Sequence, residues 1–150
     1  MELNFSGRTV AVTGGAGGIG AATVRLFASF GARVTYADLP GEKAEGLERS
    51  LLSDGLDVAF VPTDVSDADA CEAFVRAACD AGGGLDVLVN NAAVRNYARI
   101  TEASPQSWER MLGINLMGYA NCARCAIPRM AARQGANIVN IASIRSIIAG

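Results

Sequence analysis

The residues best suited to chemistry begin with a run of glycines. Thr13-Gly14-Gly15-Ala16-Gly17-Gly18-Ile19-Gly20 joins a short β-branched segment, Thr9-Val10-Ala11-Val12-Thr13, to the start of a helical pattern. At such a junction, backbone N–H groups and the positive end of a helix can hold a pyrophosphate. Glycine suits the turn because a Cβ would block the approach of the phosphates or the packing of helix on strand. The run parses through Gly15, Gly17 and Gly20 or through Gly14, Gly18 and Gly20, and alone it also describes a tight turn without a ligand. Asp38 adds a second feature, a carboxylate at the end of the predicted second strand. There it can accept hydrogen bonds from an adenosine ribose and repel a 2′-phosphate, which favours NAD over NADP. Leu39 and Pro40 offer no guanidinium for an extra phosphate, and Gly15 and Ala16 are not basic. A solvated acid at a strand end is the plain alternative. A methyltransferase could use the same two features, so they leave the chemistry open.

The elements that position these residues are legible in the pattern of apolar side chains. Strands are predicted over 9–13, 33–38, 58–62, 86–90 and 137–142. Between them, Ile19, Thr23, Leu26, Phe27 and Phe30 suggest one helix face, with Gly31 as its stop, and Ala44, Leu47 and Leu51 suggest a second. Ser66 with Asp69 resembles a capping box before a third helix that would bury Ala70, Ala73, Phe74 and Ala77. Ser104-Pro105 opens a long helix through Trp108, Met111, Leu112 and Leu116, which Pro128 should kink or end and Gly135 should close off. Five strands alternating with four helices, without a hairpin signal, call for right-handed crossovers and a doubly wound α/β fold with a parallel sheet.

Composition narrows the classes. The 150 residues suffice for one domain but hardly for two. A net charge of −2, with arginines scattered from Arg8 to Arg145, argues against a nucleic-acid surface. At 51% hydrophobic and 19% charged, the chain is too apolar for disorder. Its apolar stretches are broken well short of a bilayer span, and the amino end lacks the pattern of an export signal. A soluble, cytoplasmic protein is expected. Cys71, Cys79, Cys122 and Cys125 read as buried free thiols rather than as metal ligands or disulfides, there being no histidine in the sequence.

The later landmarks discriminate among the readings of the glycine turn. Thr63-Asp64-Val65 follows the third strand, Asn90-Asn91-Ala92-Ala93 follows the fourth, Asn115 lies within the long helix, and Ser143 ends Asn140-Ile141-Ala142-Ser143. Together with Thr13-Gly14-x-x-x-Gly18-x-Gly20, this ordered set resembles the short-chain dehydrogenase/reductase family over essentially the whole chain. The second motif of that family usually reads Asn-Asn-Ala-Gly. Ala93 replaces its glycine here, which should tighten the turn without removing the contact.

The resemblance implies that Gly14, Gly17, Gly18, Ile19 and Gly20 surround the pyrophosphate of NAD and that Asp38 and Leu39 meet the adenosine ribose. It implies that Asp64 and Val65 flank the adenine, and that Asn91, Ala92 and Ala93 line the path to the nicotinamide ribose. Local sequence alone would also let Asn90 and Asn91 serve as turn residues. The implied reaction is reversible hydride transfer between nicotinamide and a carbinol or carbonyl carbon of a small molecule. Ser143 matches the serine that orients the substrate oxygen, and Asn115 the asparagine that holds a water in the proton relay. Either could instead be an ordinary polar residue, at a strand end or bonded inside the fold.

The family completes its site with a Tyr-x-x-x-Lys unit beyond the serine. A phenol with an unperturbed pKa of about 10 needs a cationic neighbour to act near neutral pH. Tyr36, Tyr97 and Tyr119 and the single lysine, Lys43, provide no pair at that spacing within the 150 residues. The expectation is therefore the front, NAD-binding portion of a longer enzyme, inactive by itself, with its fifth strand an uncovered edge. A catalytically silent NAD-binding module or sensor is the alternative. Leu116, Met117, Tyr119 and Ile127 run round much of the long helix, through which family members commonly assemble, so the resemblance implies a homo-oligomer. The loop Val94-Arg95-Asn96-Tyr97-Ala98-Arg99 could offer a guanidinium to a carboxylate substrate, although surface arginines in loops are ordinary.

Overall fold

The computed structural model describes residues 3–143; the first two residues of the amino-terminal segment and Arg145 fall outside them. Strands β1 (Thr9–Thr13), β2 (Arg33–Asp38), β3 (Val58–Pro62), β4 (Val87–Asn90) and β5 (Asn137–Asn140) form one sheet in the order β3-β2-β1-β4-β5. Every pairing is parallel. The chain winds outward from β1 to β3 and then crosses back to β4, so the order reverses between β1 and β4. In open parallel sheets, ligands bind beyond the carboxyl ends of the strands at such a reversal.

Parallel strands buried on both faces need apolar residues in both alternating sets. Val10, Val12, Val34, Tyr36, Val87 and Val89 point into one core, closed by Val24 and Ala28 of α1 (Gly18–Ser29) and Leu51 of α2 (Glu42–Ser53). Ala11, Ala37 and Leu88 point into the other. That core is filled by Phe74, Val75 and Ala78 of α3 (Ala68–Gly82) and by Cys122 and Ala126 of α5 (Gly118–Met130).

The helix faces differ from expectation in two places. Ile19 and Leu26 are 62% and 56% exposed, while Gly20, Val24 and Ala28 carry the buried stripe of α1. Small residues let the helix lie close on the sheet, and they give little hydrophobic signal. Helix α3 buries Cys71, Phe74, Val75, Ala78 and Cys79 rather than the set that included Ala70, Ala73 and Ala77. Its cap is Asp67, whose Oδ1 accepts from the amides of Asp69 and Ala70. Ser66 instead bonds back to Asp64.

The long helix is a rod in three parts. Helix α4 (Pro105–Leu112) passes into a π-turn (Gly113–Met117) and then into α5. Ser104 Oγ accepts from the Ser107 amide, and Pro105 takes the first turn, where its missing N–H costs nothing. Pro128 does not stop the helix, which runs on to Met130. β5 is the edge strand of the described sheet and ends at Asn140, two residues before its expected limit. The four cysteines are free and buried.

Candidate active site

Parallel register brings Thr13, Asp38 and Asn90 to one edge of the sheet. The glycine turn is built against β4. Asn91 Nδ2 donates to the carbonyls of Thr13 (3.0 Å) and Gly14 (2.9 Å). In return, Thr13 Oγ1 accepts from the amides of Asn91 (3.0 Å) and Ala92 (3.1 Å). The amide nitrogen of Asn91 is therefore spent on bracing the turn. Asn90 donates to Asn140 Oδ1 at 2.9 Å and so ties β4 to β5.

The glycines divide by what a Cβ would meet. At Gly14 it would stand 2.7 Å from Ala92 Cα, and at Gly20 it would overlap the Gly14 carbonyl. Gly18 has φ +53° with nothing within 4 Å of the added atom, so its backbone needs glycine while the space beside it is open. Backbone contacts or dihedrals thus require glycine at 14, 18 and 20, and Gly15 is required as well, because its added Cβ would stand 2.6 Å from Tyr36 Cβ. Gly17 is the N-cap of α1 and offers no side-chain acceptor to the first-turn amides, and that turn holds no acid.

Asp38 closes the turn from the β2 side. Its Oδ2 accepts from the Ala16 amide and its Oδ1 from the Leu39 amide, both at 2.9 Å. Each oxygen keeps a lone pair for a further donor. The carboxylate is half-buried and Leu39 is 56% exposed beside it.

Lys43, the single lysine of the sequence, also reaches the turn. Its ammonium and Cε lie against Gly17, where a Cβ would have to go. Helices α1 and α2 follow adjacent parallel strands onto the same face, so the first turn of α2 comes beside the start of α1. A lysine there can reach back over the turn.

Tyr36 is near Lys43 but does not form an acid–base pair with it. Its hydroxyl donates to the Ala44 carbonyl at 2.6 Å. Burial, with the charge of Glu48 beside it, pushes the phenol up to about 12, away from neutral-pH chemistry. Tyr119, on α5, donates to the Ile141 carbonyl, and burial pushes its phenol up too. Tyr97 is 87% exposed in the loop after β4.

The remaining expected residues are less concentrated. Asp64 is exposed and accepts from the amide and hydroxyl of Ser66, and these bonds, helped by the charge of Arg110, hold its carboxyl below the usual range. Val65 is buried and faces Gly118 of α5, where an added Cβ would come within 3.0 Å. Ala92 is half-buried and Ala93 exposed. Asn115 sits in the π-turn and holds the backbone of Val94 at both ends: Oδ1 accepts from its N–H and Nδ2 donates to its carbonyl, both at 2.9 Å. Turns of this kind often mark functional positions. Ser143 is exposed beyond β5.

The sheet order sets the crossover turn, which lacks a side-chain cap, and the acid at the end of β2 at the switch point of a doubly wound, Rossmann-type α/β protein. Residues 8–149 match the family model for short chain dehydrogenase, and the chain belongs to this family of oxidoreductases. It is 44% identical over 142 residues to an uncharacterized oxidoreductase of Thermotoga maritima, covering 95% of this chain and 56% of that protein. With the cis-4-hydroxycyclohexanecarboxylate dehydrogenase of Sinomonas cyclohexanicum it shares 40% identity over 145 residues, 96% of this chain and 58% of the relative. Among solved structures, a short-chain dehydrogenase/reductase of the glucose/ribitol dehydrogenase type from Brucella melitensis superposes with a TM-score of 0.90 at 33% identity, over 98% of this chain and 61% of that one. The chain thus spans little more than half the length of these relatives. Among the described residues, no helix is long and apolar enough to cross a membrane.

Proposed function

We propose that residues 1–150 form the Rossmann-type, NAD-binding portion of a dehydrogenase that moves a hydride between nicotinamide and the hydroxyl or carbonyl carbon of a small molecule. The observation that carries this reading is the bond from the Ala16 amide to Asp38, which makes the acid and the glycine turn one wall. The residues present fit the cofactor. First-turn amides of α1 lack a side-chain acceptor, the space beside Gly18 is open, and Asp38 keeps acceptor capacity for ribose hydroxyls. Gly14, Gly17, Gly18, Ile19 and Gly20 would take the pyrophosphate, Asp38 and Leu39 the ribose, Asp64 and Val65 the adenine side, and Asn91, Ala92 and Ala93 the nicotinamide side. When bound, the nicotinamide supplies the hydride acceptor or donor.

The chain's own contribution is to position and discriminate. A fixed carboxylate at the ribose disfavours a second anionic group there, so NAD is preferred over NADP. Lys43 adds a positive charge over the turn, suited to a phosphate. Ser143 orients the substrate oxygen. Asn115 fixes Val94 and keeps the long helix in register with the loop that leaves the nicotinamide side. Exposed Trp108, Leu112 and Leu116 lie at four-residue spacing along the rod and serve self-association. The buried free thiols suit the reducing cytoplasm.

Fluorescence titration with NADH and NADPH, paired with a hydride-transfer assay, tests the proposal. Micromolar NADH binding, weaker NADPH binding and turnover in a longer form of the protein are expected. Binding without turnover in any form supports a silent module instead, and no NADH binding overturns both.

A further inference from the structure

The loop after Ala93 does not return directly to the sheet. It runs along the start of α4 and leaves a groove of about 560 Å³ between them, open to solvent along much of its length. One wall is Val94, Arg95 and Asn96; the other is Gln106, Ser107 and Arg110. Two guanidinium groups line it from opposite sides and no carboxylate does among the described residues. Neither Arg95 nor Arg110 has a carboxylate within 4.0 Å among the described residues, a state shared with Arg76, Arg99, Arg124 and Arg133, and Arg110 also acts through its charge on Asp64.

The cleft is built rather than incidental. Asn96 Nδ2 donates to Ser107 Oγ at 2.9 Å and joins the two walls at one end. Asn115 clamps Val94 through both of its backbone groups at the other. Ser107 is itself fixed, its hydroxyl donating to the Ser104 carbonyl at 2.7 Å. These ties fix the Val94 backbone and the side chains of Asn96 and Ser107, the frame from which the exposed Arg95 and Arg110 extend.

We infer that Arg95 and Arg110 form a carboxylate subsite, so that the substrate of this enzyme is a hydroxy acid, or the matching oxo acid, rather than a neutral alcohol. The inference rests on the dehydrogenase reading and deepens it. Val94 and Arg95 follow Ala93 directly in the chain, so a substrate reacting beside Ala93 can extend its far end to Arg95. A guanidinium matches a carboxylate with two parallel hydrogen bonds. The cofactor's phosphates have a separate seat at the glycine turn on β1, which leaves this cleft to the substrate.

The test titrates the protein by isothermal calorimetry with cyclohexanecarboxylate, cyclohexanol and inorganic phosphate, each with and without NADH. Saturable binding of the carboxylate is expected, at least tenfold tighter than the alcohol or phosphate. Arg95→Ala should weaken it about tenfold, Arg95→Lys less, and Arg110→Ala several-fold, while Arg95→Ala leaves NADH affinity unchanged. Equal affinity for acid and alcohol, equal affinity for phosphate, or indifference to Arg95→Ala and Arg110→Ala in variants with wild-type circular dichroism would overturn the subsite. Loss of the NADH response with carboxylate binding intact would overturn the dehydrogenase reading and leave the anion site standing.

Discussion

The helices of this protein begin in different ways. Helix α3 opens on Asp67 and α4 on Ser104, and each side chain accepts from first-turn amides. Helix α1 opens on Gly17, with neither an acceptor nor an acid in its first turn, and α2 opens on Gly41 but carries Glu42 and Glu45 there. The same electrostatic need, negative charge at the positive helix end, is met by a cap in α3 and α4 and by acids in α2. In α1 no residue of its own cap or first turn meets it, and the nearest acid, Asp38, bonds the Ala16 amide just ahead of the helix, beside open space at Gly18 and the ammonium of Lys43. On the reading proposed above, that unmet need at α1 is filled by the cofactor's pyrophosphate.

The strongest way to break the contrast is Gly20→Ala, whose Cβ overlaps the Gly14 carbonyl. NADH affinity should fall at least about a hundredfold and stability by about 1–3 kcal/mol, read by fluorescence titration and urea melts. Unchanged NADH binding would remove the cradle from the account.

Next is Tyr36, which fastens the start of α2 through the Ala44 carbonyl. Its folded pKa of about 12 lies above the ordinary value of 10.0. The unfolded chain therefore loses this proton first as pH rises. The stabilising contribution is complete below pH about 10 and is lost as pH rises through about 12, by roughly 2–3 kcal/mol. Comparing urea midpoints of wild type and Tyr36→Phe across that window should isolate the step, which the variant lacks.

Asp38→Ala should lower NADH affinity about tenfold, which is about 1.4 kcal/mol, and reduce the preference over NADPH. Competitive titration of the two coenzymes measures this, and an unaltered preference would detach Asp38 from discrimination. Smallest of all, Asp67→Ala and Ser104→Ala should each cost about 1 kcal/mol in urea melts with NADH binding unchanged. Equal losses of NADH affinity at these capped helices would erase the distinction from α1.

The strands were the most legible part. The bounds of β1, β2 and β3 agree with the sequence reading because each is a short apolar run with abrupt polar or glycine borders. Helix faces were less so. Ile19 and Leu26 carry the hydrophobic signal of α1, yet Gly20, Val24 and Ala28 carry its contact, since close approach to a sheet selects small side chains. Nothing in local pattern announces the π-turn around Asn115, because its widened geometry depends on what the side chain finds across the fold. The glycine turn and Asp38 stood out from residue type and position. Their direct bond, and the place of Lys43 above Gly17, did not.

By itself the sequence determined the alternation of strands and helices, the glycines at the first crossover and the acid after the second strand. Those follow from local chemistry: β-branched apolar runs, capping residues, and turns that exclude a Cβ. Only the tertiary structure decided that Asn91 braces the turn, that Lys43 covers it, and that Arg95 and Arg110 face one cleft. Such pairings join residues far apart in the chain, and their distances are set by the stacking of parallel strands and by how closely each helix can settle on the sheet.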